Sequence, residues 1–574
     1  MRFSHGFPFV VLFVGSLLPA RLAISSDHSE VIPGKFTDVT SALGVSFQHM
    51  ASHNSKKYSL ETMGSGVALF DYDNDGRLDI YFVNGAPIGD PQPKGSIPRK
   101  TGPQYWNRLF HQKADGTFED VTQKAGLQGA GYGYAAAVGD YDNDGYEDLF
   151  VTAYGGNKLY HNNGDGTFTD VTEKAGVGGG GWSTSAAWVD LDGDGLLDLV
   201  VVRYVQWDFD DIWCGPHVEG YRDYCHPDVF QPIAPLVYHN DGNGHFTEVS
   251  EKIGLSRPGK GLGIAIADYD RDGHIDVYIA NDQMIGFLYH NKGDGTFEEE
   301  GLMAGVGLDG NGQTYAGMGV DFADYYNDGL PGIIVTNLAN QIYALYRNNG
   351  DASFTYDSTS SGIGRITLLH SGWGVRFVDY DNDGWKDLLI TQGHDLESIA
   401  LTSPNVHYRE PMMLLRNTGK EFVDVSSDSG SPFHQAWVGR GMAVGDIDND
   451  GRMDAVVTTN DGPAHILHNE TPTQNHWLTL KLVGHKSNRD AIGAEVKIVT
   501  AKGPQWEMVT TSSSYASSSD KRVHFGLGAE AIVQTMEIRW PSGIVQTLQN
   551  VRADQFLQVD EPIAGPPTKK SLDK

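Results

Sequence analysis

The chain repeats one short pattern of apolar and polar positions. A small apolar run such as 135–138 (AAAV) leads into an acidic loop, and a second run such as 149–152 (LFVT) follows that loop. A third run, 159–162 (LYHN), continues through the turn 164–166 (GDG) into 168–172 (FTDVT). Short apolar runs separated by turn residues are typical of β-strands, so each unit predicts four strands.

The unit recurs seven times between residues 36 and 471. Four-stranded units in such an array predict an all-β fold, a seven-bladed β-propeller. Residues 36–40 (FTDVT) have the sequence of a fourth strand with no unit before them, whereas the last unit ends near His468 without one. We therefore expect the N-terminal strand to complete the last blade, which removes open sheet edges.

The acidic loop, D-x-D-x-D-G-x-x-D, connects the first and second strands of each unit. Carboxylates at positions 1, 3, 5 and 9, with a backbone carbonyl at position 7, form an oxygen cage that suits Ca²⁺. Position 12 is a β-type apolar residue where an EF-hand requires glutamate, so the loop joins two strands, as in integrin-type blades. An acidic turn without metal is the alternative, but six complete copies in register favour about six Ca²⁺ sites. Their ligands would be Asp71, Asp73, Asp75 and Asp79; Asp140, Asp142, Asp144 and Asp148; Asp190, Asp192, Asp194 and Asp198; Asp268, Asp270, Asp272 and Asp276; Asp379, Asp381, Asp383 and Asp387; and Asp446, Asp448, Asp450 and Asp454.

A seventh copy is incomplete. It keeps Asp324 and Asp328 but has Tyr326 and Gly332 at the third and ninth positions. We expect this loop to bind metal weakly or not at all. The expected role of calcium is structural, since sensor sites require a pair of helices that opens on binding.

Long insertions at 85–105, 204–235 and 393–411 fall between the second and third strands of their units. They should therefore emerge opposite the metal loops, on a surface that we call the insertion face. Long loops on a rigid scaffold commonly bind ligands. Five histidines on predicted loops of this face could form a metal or acid–base cluster, but they lack ligand spacing and chance placement is the better explanation. They are His49, His53, His370, His394 and His434.

Composition and charge indicate the compartment of the protein and the classes of partner that it can bind. The formal charge is −32, with 74 acidic and 42 basic residues, and no basic run predicts nucleic-acid binding. Residues 1–25 have the charge, apolar core and small-residue end of an export signal, and no other segment could span a membrane. Cys214 and Cys225 are expected to form a disulfide. These features predict a secreted, periplasmic or cell-surface protein, with a disordered tail over 562–574.

The pattern changes after residue 471. About seven short strand-like runs over 475–561 predict a small β-sandwich. The motifs 475–478 (NHWL), 487–494 (SNRDAIGA), 524–528 (HFGLG) and 539–543 (RWPSG) resemble the ASPIC/UnbV domain, and the repeats resemble FG-GAP/VCBS repeats. Together they resemble the cartilage acidic protein family, and we interpret the chain as a bacterial member. Within the motifs, Arg489 and Asp490 are expected to form an exposed ion pair that contributes little.

The resemblance implies a secreted propeller with structural calcium and a role in adhesion or extracellular interaction. The first functional hypothesis is therefore an interaction module that binds another protein or a glycan. The alternative is a propeller enzyme, a hydrolase or lyase, with its site at the channel mouth on the insertion face. A third hypothesis is a structural envelope component. A convergent cluster of histidine and acidic side chains would favour the enzyme, and the sequence names no catalytic residue.

Overall fold

The structure is a computed structural model that describes residues 1–2, 6, 32–215 and 221–563. The chain divides into two compact units, Met1–Ile32 and Pro33–Lys574, and all described strands and helices lie in the second. The predicted export signal and tail therefore lie outside the described residues, except for residues 1–2, 6 and 562–563. Among the described residues, no helix is long and apolar enough to cross a membrane.

The described residues contain seven four-stranded antiparallel sheets built on one plan. In chain order, with the innermost strand first, they are Val67–Phe70, Asp79–Phe82, Arg108–Gln112 and Phe118–Asp120 (sheet 1); Tyr132–Gly139, Asp148–Tyr154, Lys158–Asn162 and Phe168–Asp170 (sheet 2); Ser183–Val189, Asp198–Arg203, Leu236–Asn240 and Phe246–Glu248 (sheet 3); Gly261–Ala267, Asp276–Met284, Phe287–Asn291 and Phe297–Glu299 (sheet 4); Val320–Ala323, Gly332–Val335, Ala344–Asn348 and Phe354–Tyr356 (sheet 5); Gly372–Val378, Asp387–Gln392, Met413–Asn417 and Phe422–Asp424 (sheet 6); and Gly439–Gly445, Asp454–Thr459, His465–Asn469 and Phe36–Asp38 (sheet 7).

The sheets form a ring. Each innermost strand contacts those of the two neighbouring sheets, and the cycle closes between sheets 7 and 1. The N-terminal strand Phe36–Asp38 pairs with His465–Asn469, as expected from the sequence. The all-β propeller class predicted from the repeats is confirmed.

Strands in this ring are buried on both faces, which explains their nearly continuous apolar sequences. In sheet 1, Leu69 and Ile80 belong to the core shared with sheet 7. Their neighbours Phe70 and Tyr81 belong to the core shared with sheet 2. Alternate side chains thus pack against the two adjacent sheets.

A ring of side-chain amides also joins the sheets. The amide at the end of each third strand donates to the carbonyl of the second metal-loop residue in the preceding sheet, at 2.8–3.0 Å. The seven donors are Gln112, Asn162, Asn240, Asn291, Asn348, Asn417 and Asn469. These buried bonds connect each metal loop to the third strand of the next sheet.

The C-terminal part forms two further sheets whose side chains share one buried cluster. Their strands are Val523–Gly528, His476–Val483 and Gln555–Asp560 in one sheet, and Pro504–Met508, Glu495–Val499, Ile532–Arg539 and Val545–Arg552 in the other. Helices are short in the described chain: Thr122–Ala125, Thr172–Ala175, Ser250–Ile253 and Ile363–Thr367, with 3-10 turns at Ser59–Thr62, Pro103–Tyr105, Pro227–Val229, Ile399–Leu401, Ser426–Asp428 and Ser431–His434. Two minor strand pairs occur outside this plan: Val205–Gln206 with Gln231–Pro232, in the insertion 204–235, and Tyr315–Ala316 with Asp276–Met284.

These C-terminal sheets lie on the metal-loop face of the ring. Asp490 is 3% exposed, and its Oδ2 accepts a hydrogen bond from the backbone of Asp140 at 2.6 Å. Asp490 also contacts Lys521, which lies 3.0 Å from Glu147. The expectation of an exposed pair between Arg489 and Asp490 is therefore wrong, because Asp490 is buried against the ring and has a different cation as its partner.

A hairpin of the C-terminal part, Ser512–Ser513 with Ser517–Ser518, enters the central channel of the ring. Ser514 exchanges backbone hydrogen bonds with Val320, and serine hydroxyls accept from the backbone N–H groups of four innermost strands. At the tip, the Tyr515 hydroxyl donates to the carbonyl of Met63 at 2.7 Å. The serine-rich sequence follows from this position, since the innermost strands present unpaired polar groups to the axis.

Candidate functional site

The metal loops share one internal geometry. In the second loop, Asp140 Oδ1 accepts from the backbone N–H of Asp144 at 3.0 Å, and its Oδ2 accepts from that of Gly145 at 2.8 Å. Equivalent bonds occur in the loops that begin at Asp71, Asp190, Asp268, Asp324, Asp379 and Asp446. The first carboxylate therefore closes the turn, and glycine at position 6 allows its positive φ.

The ninth carboxylate connects the loop to the third strand. Asp148 Oδ1 accepts from the backbone N–H of Asn162 at 2.8 Å, and Oδ2 accepts from that of Tyr141 at 3.2 Å. His161 Nδ1 lies 3.2 Å from Asp148 Oδ1 and 3.4 Å from Asp142 Oδ2. Contacts from the loop backbone and from the third strand thus fix the positions of the loop carboxylates.

Such a histidine recurs in five loops, and the sequence reasoning did not identify it as part of the site. Its Nδ1 lies 3.0–3.2 Å from the ninth aspartate in each case. The five are His111, His161, His239, His290 and His468. The bond to aspartate raises the pKa of His239 and His468 to about 9. The sequence did contain a signal for this residue, because motifs such as LYHN repeat the histidine in five third strands. The histidine orients a carboxylate, as residues that hydrogen-bond to metal ligands do.

Charge is crowded in these loops. Burial, and then the charges of Asp270 and Asp268, raise the pKa of Asp276 to about 9. Burial, and then the charge of Asp454, raise that of Asp446 to about 8. A buried Asp73 oxygen has no hydrogen-bond partner. Five of the loops also bring third- and fifth-position carboxylates and the histidine within 4.8 Å of one another.

This donor set fits a divalent cation that prefers oxygen ligands. Coordination would neutralise carboxylates that otherwise repel one another in a partly buried site. The 24 aspartates expected as ligands all lie in such loops, one loop per sheet. Their role as ligands stays a prediction.

Two loops differ from the other five. In the loop at Asp379, Arg416 replaces the histidine, and its Nη2 lies 3.2 Å from Asp381 Oδ2 and 2.9 Å from Asp383 Oδ2. In the incomplete loop, the Tyr326 hydroxyl donates to Asp357 at 2.9 Å, so the phenol at the third position is held by protein contacts.

On the opposite face, the insertions 204–235 and 393–411 border a cavity of about 140 Å³ at the mouth of the central channel. Its apolar lining includes Leu262, Met318 and Trp373, and two carboxylates, Asp282 and Asp395, also line it. Part of its wall comes from the segment around Cys225, which forms a disulfide with Cys214 as expected. The insertion that contains this disulfide crosses the mouth, since Lys94 contacts Asp210 at 2.7 Å and Tyr224 contacts His53 at 2.6 Å.

The five histidines expected near this mouth lie apart from one another. His53 contacts Tyr224, His370 contacts Glu410 at 2.8 Å, and His394 contacts Asp395 at 2.8 Å. His49 is fully buried, and burial lowers its pKa to about 3, whereas His434 is exposed. His394 is the member of this group that lines the cavity, so these side chains do not form one cluster.

Family comparison gives two matches. Residues 484–566 match the model described as ASPIC and UnbV. Residues 96–151, 140–201, 234–279, 268–335 and 324–390 match the FG-GAP-like repeat.

Among curated proteins, the chain is 26% identical to cartilage acidic protein 1 of Xenopus tropicalis over 316 residues, which is 52% of this chain and 45% of that protein. It is 25% identical to the Homo sapiens protein over 302 residues, which is 52% of this chain and 43% of that protein. The match thus spans about half the length of these relatives.

Among solved structures, an Agrocybe aegerita lectin that recognises non-reducing terminal N-acetylglucosamine aligns with a TM-score of 0.38 and 16% identity, over 70% of this chain and 87% of its own. YCF48 bound to D1 peptide aligns with a TM-score of 0.37 and 6% identity, over 71% of this chain and 91% of its own.

Proposed function

The chain consists of FG-GAP-like repeats followed by an ASPIC and UnbV domain and is homologous to cartilage acidic protein 1, and from this premise we propose that it is an extracellular interaction module. Its ring is stabilised by bound calcium, and its insertion face binds another protein or a glycan. Secretion, or placement in a periplasm or at a cell surface, accords with the disulfide between Cys214 and Cys225.

One observation supports the insertion face as the working surface. The C-terminal sheets cover the opposite face, where the backbone N–H of Arg489 donates to Asn143 and the Nε2 of His524 lies 2.8 Å from Asn382 Oδ1. The insertion face instead presents long loops, a cavity and the exposed Trp213, which is 66% accessible. Large aromatic side chains on rigidly held loops are favoured at interfaces.

Calcium is the cation that we propose for the six complete loops. Four aspartates and a backbone carbonyl in a turn suit Ca²⁺, whereas Mg²⁺ prefers fewer protein ligands and retains more water. Six such ions would change the formal charge from −32 to −20, since each adds two positive charges. Each ion would fix the conformation of the turn that connects the first and second strands of its sheet.

Metal analysis and thermal melting test the calcium proposal. Purified protein should contain about six Ca²⁺ per chain, and EGTA should lower its melting temperature, with recovery by Ca²⁺ but not by Mg²⁺ at the same concentration. Absence of bound calcium together with an unchanged melting temperature would refute the proposal.

A matched pair of variants assigns the ions to loops. Asp144→Asn changes the fifth position of a complete loop, and Asp328→Asn changes the same position of the incomplete loop. Both carboxylates accept one backbone hydrogen bond, from Tyr146 at 2.8 Å and from Leu330 at 3.1 Å. D144N should remove one calcium and lower the melting temperature, whereas D328N should retain the wild-type count.

Trp213→Ala tests the binding surface. Once a protein or glycan partner has been found by array screening, this variant should weaken binding, by about 2 kcal/mol if the indole is an anchor. Val545→Ala removes another exposed side chain, 57% accessible and carried by a C-terminal sheet over the opposite face, and should leave binding unchanged. Equal effects of the two variants would argue against this face.

A further inference from the structure

The loop at Asp379 has an arginine where five other loops, which we call the histidine loops, have a histidine. Arg416 is the fourth residue of its third strand, as His161 is in sheet 2. The Arg416 side chain is 8% exposed, and its Nη2 lies 2.9 Å from Asp383 Oδ2. The chain thus places a permanently positive group in a loop that has all four ligand aspartates. The histidine loops are those that contain His111, His161, His239, His290 and His468 as partners of the ninth aspartate.

The guanidinium of Arg416 lies on the oxygens that an ion would need. Asp381 Oδ1 accepts from the backbone N–H of Asp383 at 3.3 Å, and Asp383 Oδ1 accepts from that of Trp385 at 2.9 Å. The Oδ2 atoms of these two aspartates are therefore the oxygens left for a metal ion. Arg416 Nη2 lies 3.2 Å from the first and 2.9 Å from the second. An ion can take both oxygens only if the guanidinium moves away from them.

The C-terminal sheets cover this loop. The side chain of the third-position aspartate is 17–47% exposed in the histidine loops, whereas that of Asp381 is 1% exposed. The backbone N–H of Gly528 donates to the carbonyl of Asn382 at 2.8 Å, and a Cβ on Gly526 would collide with Asp379. This close packing restricts the space into which the Arg416 side chain could move.

The incomplete loop shows the same use of arginine. Arg347 has the same place in its third strand as Arg416. Its Cζ lies 4.0 Å from the ring centroid of Tyr326, and its Nη2 lies 3.5 Å from Asp328 Oδ2. In both loops that differ from the other five, an arginine therefore contacts the fifth-position carboxylate. Each histidine of the histidine loops contacts the third- and ninth-position carboxylates instead.

We propose that Arg416 is the resident cation of the loop at Asp379, so that this loop binds calcium at least tenfold more weakly than the histidine loops. Tenfold is the expected effect of one charge-assisted hydrogen bond, and the bond between Arg416 and Asp383 must break before an ion takes the Asp383 Oδ2 atom. The protein then takes up five ions first and a sixth only at higher calcium. This inference deepens the calcium proposal and rests on it.

Chelator-competition titrations test it, because they measure how many Ca²⁺ ions are bound at each free concentration. Wild-type protein should bind five ions in a tight class and a sixth at a free concentration at least tenfold higher. Arg416→His introduces the residue of the histidine loops and should bring the sixth ion into the tight class. His161→Arg makes the reciprocal change in sheet 2 and should remove one ion from the tight class.

Arg347→His is the matched control. It makes the same change in the incomplete loop, where Tyr326 and Gly332 supply no carboxylate, and should leave both classes of ion unchanged. Hydrogen exchange in EGTA gives an independent measurement. Residues 379–387 should stay protected in wild type and lose protection in R416H, whereas residues 140–148 should lose protection already in wild type.

Six ions of equal affinity in wild type, or an unchanged tight class in folded R416H or H161R, would overturn the inference while leaving the calcium proposal standing. If R416H does not fold, the wild-type titration and H161R still decide between the outcomes. A protein without any bound calcium would refute the calcium proposal itself, and this inference with it.

Discussion

The hairpin tip in the channel offers the sharpest stability test. Tyr515 is fully buried, its hydroxyl bonds to Met63, and its ring meets Trp373 edge to face with centroids 4.9 Å apart. Tyr515→Ala leaves a cavity where three parts of the chain meet, and large-to-small changes of buried aromatic side chains cost about 3–5 kcal/mol. Tyr515→Phe keeps the ring and leaves the Met63 carbonyl unpaired, which should cost about 1–3 kcal/mol.

The free energy of unfolding is measured by urea denaturation in saturating Ca²⁺, followed by tryptophan fluorescence and circular dichroism. Tyr221→Ala is the control, since this tyrosine is 49% exposed. Y515A should destabilise the protein more than Y515F, and Y221A should have little effect. A loss below about 1 kcal/mol for Y515A, or equal losses for the two Tyr515 variants, would refute the conclusion that the aromatic side chain of Tyr515 is tightly packed at the hairpin tip.

Three further outcomes are expected. Asn240→Ala removes one amide of the inter-sheet ring, leaves the Tyr141 carbonyl unpaired, and should reduce the free energy of unfolding by about 1–3 kcal/mol in urea denaturation; no loss would mean that water replaces the amide. Gly66→Ala would place a Cβ 2.2 Å from the Ala516 carbonyl, so limited proteolysis should cut the hairpin faster than in wild type, and unchanged cleavage would contradict the close approach. Glu561→Gln should lower the free energy of unfolding above pH 4.5. Burial opposes ionisation of this carboxylate, but hydrogen bonds from a serine hydroxyl and three backbone N–H groups outweigh it and lower its pKa to about 2. In acid-unfolding curves the stability difference between wild type and variant should therefore shrink as the pH falls from 4.5 towards 2, and a constant difference would exclude the carboxylate as its cause.

Local repetition made most of the ring predictable. Apolar runs, turn residues and the acidic loop recur in each unit, so the strands and the closure by residues 36–38 follow from patterns a few residues long. The disulfide followed from having only Cys214 and Cys225 to pair. The placement of the insertions between second and third strands followed in the same way.

Long-range contacts were not predictable from these signals. The serines of the hairpin look like a polar loop until the unpaired strand edges of the channel are placed around them. Likewise, Asp490 looks exposed in sequence, and its burial depends on docking against Asp140 of the ring. Asp282 lies near the end of the second strand of sheet 4 and Asp395 lies on an insertion of sheet 6, and no pattern in either segment indicates that they line one cavity.

The order of synthesis gives the ring closure a further consequence. Strand Phe36–Asp38 leaves the ribosome first, yet its partner His465–Asn469 is made near the end, and the channel hairpin later still. At typical elongation rates the first strand waits roughly 20 to 90 seconds for that partner. During this interval the growing array has two open sheet edges and a central channel without its hairpin. The chance that these edges pair with the wrong strands therefore depends on the speed of translation and on chaperones that bind the unfinished chain.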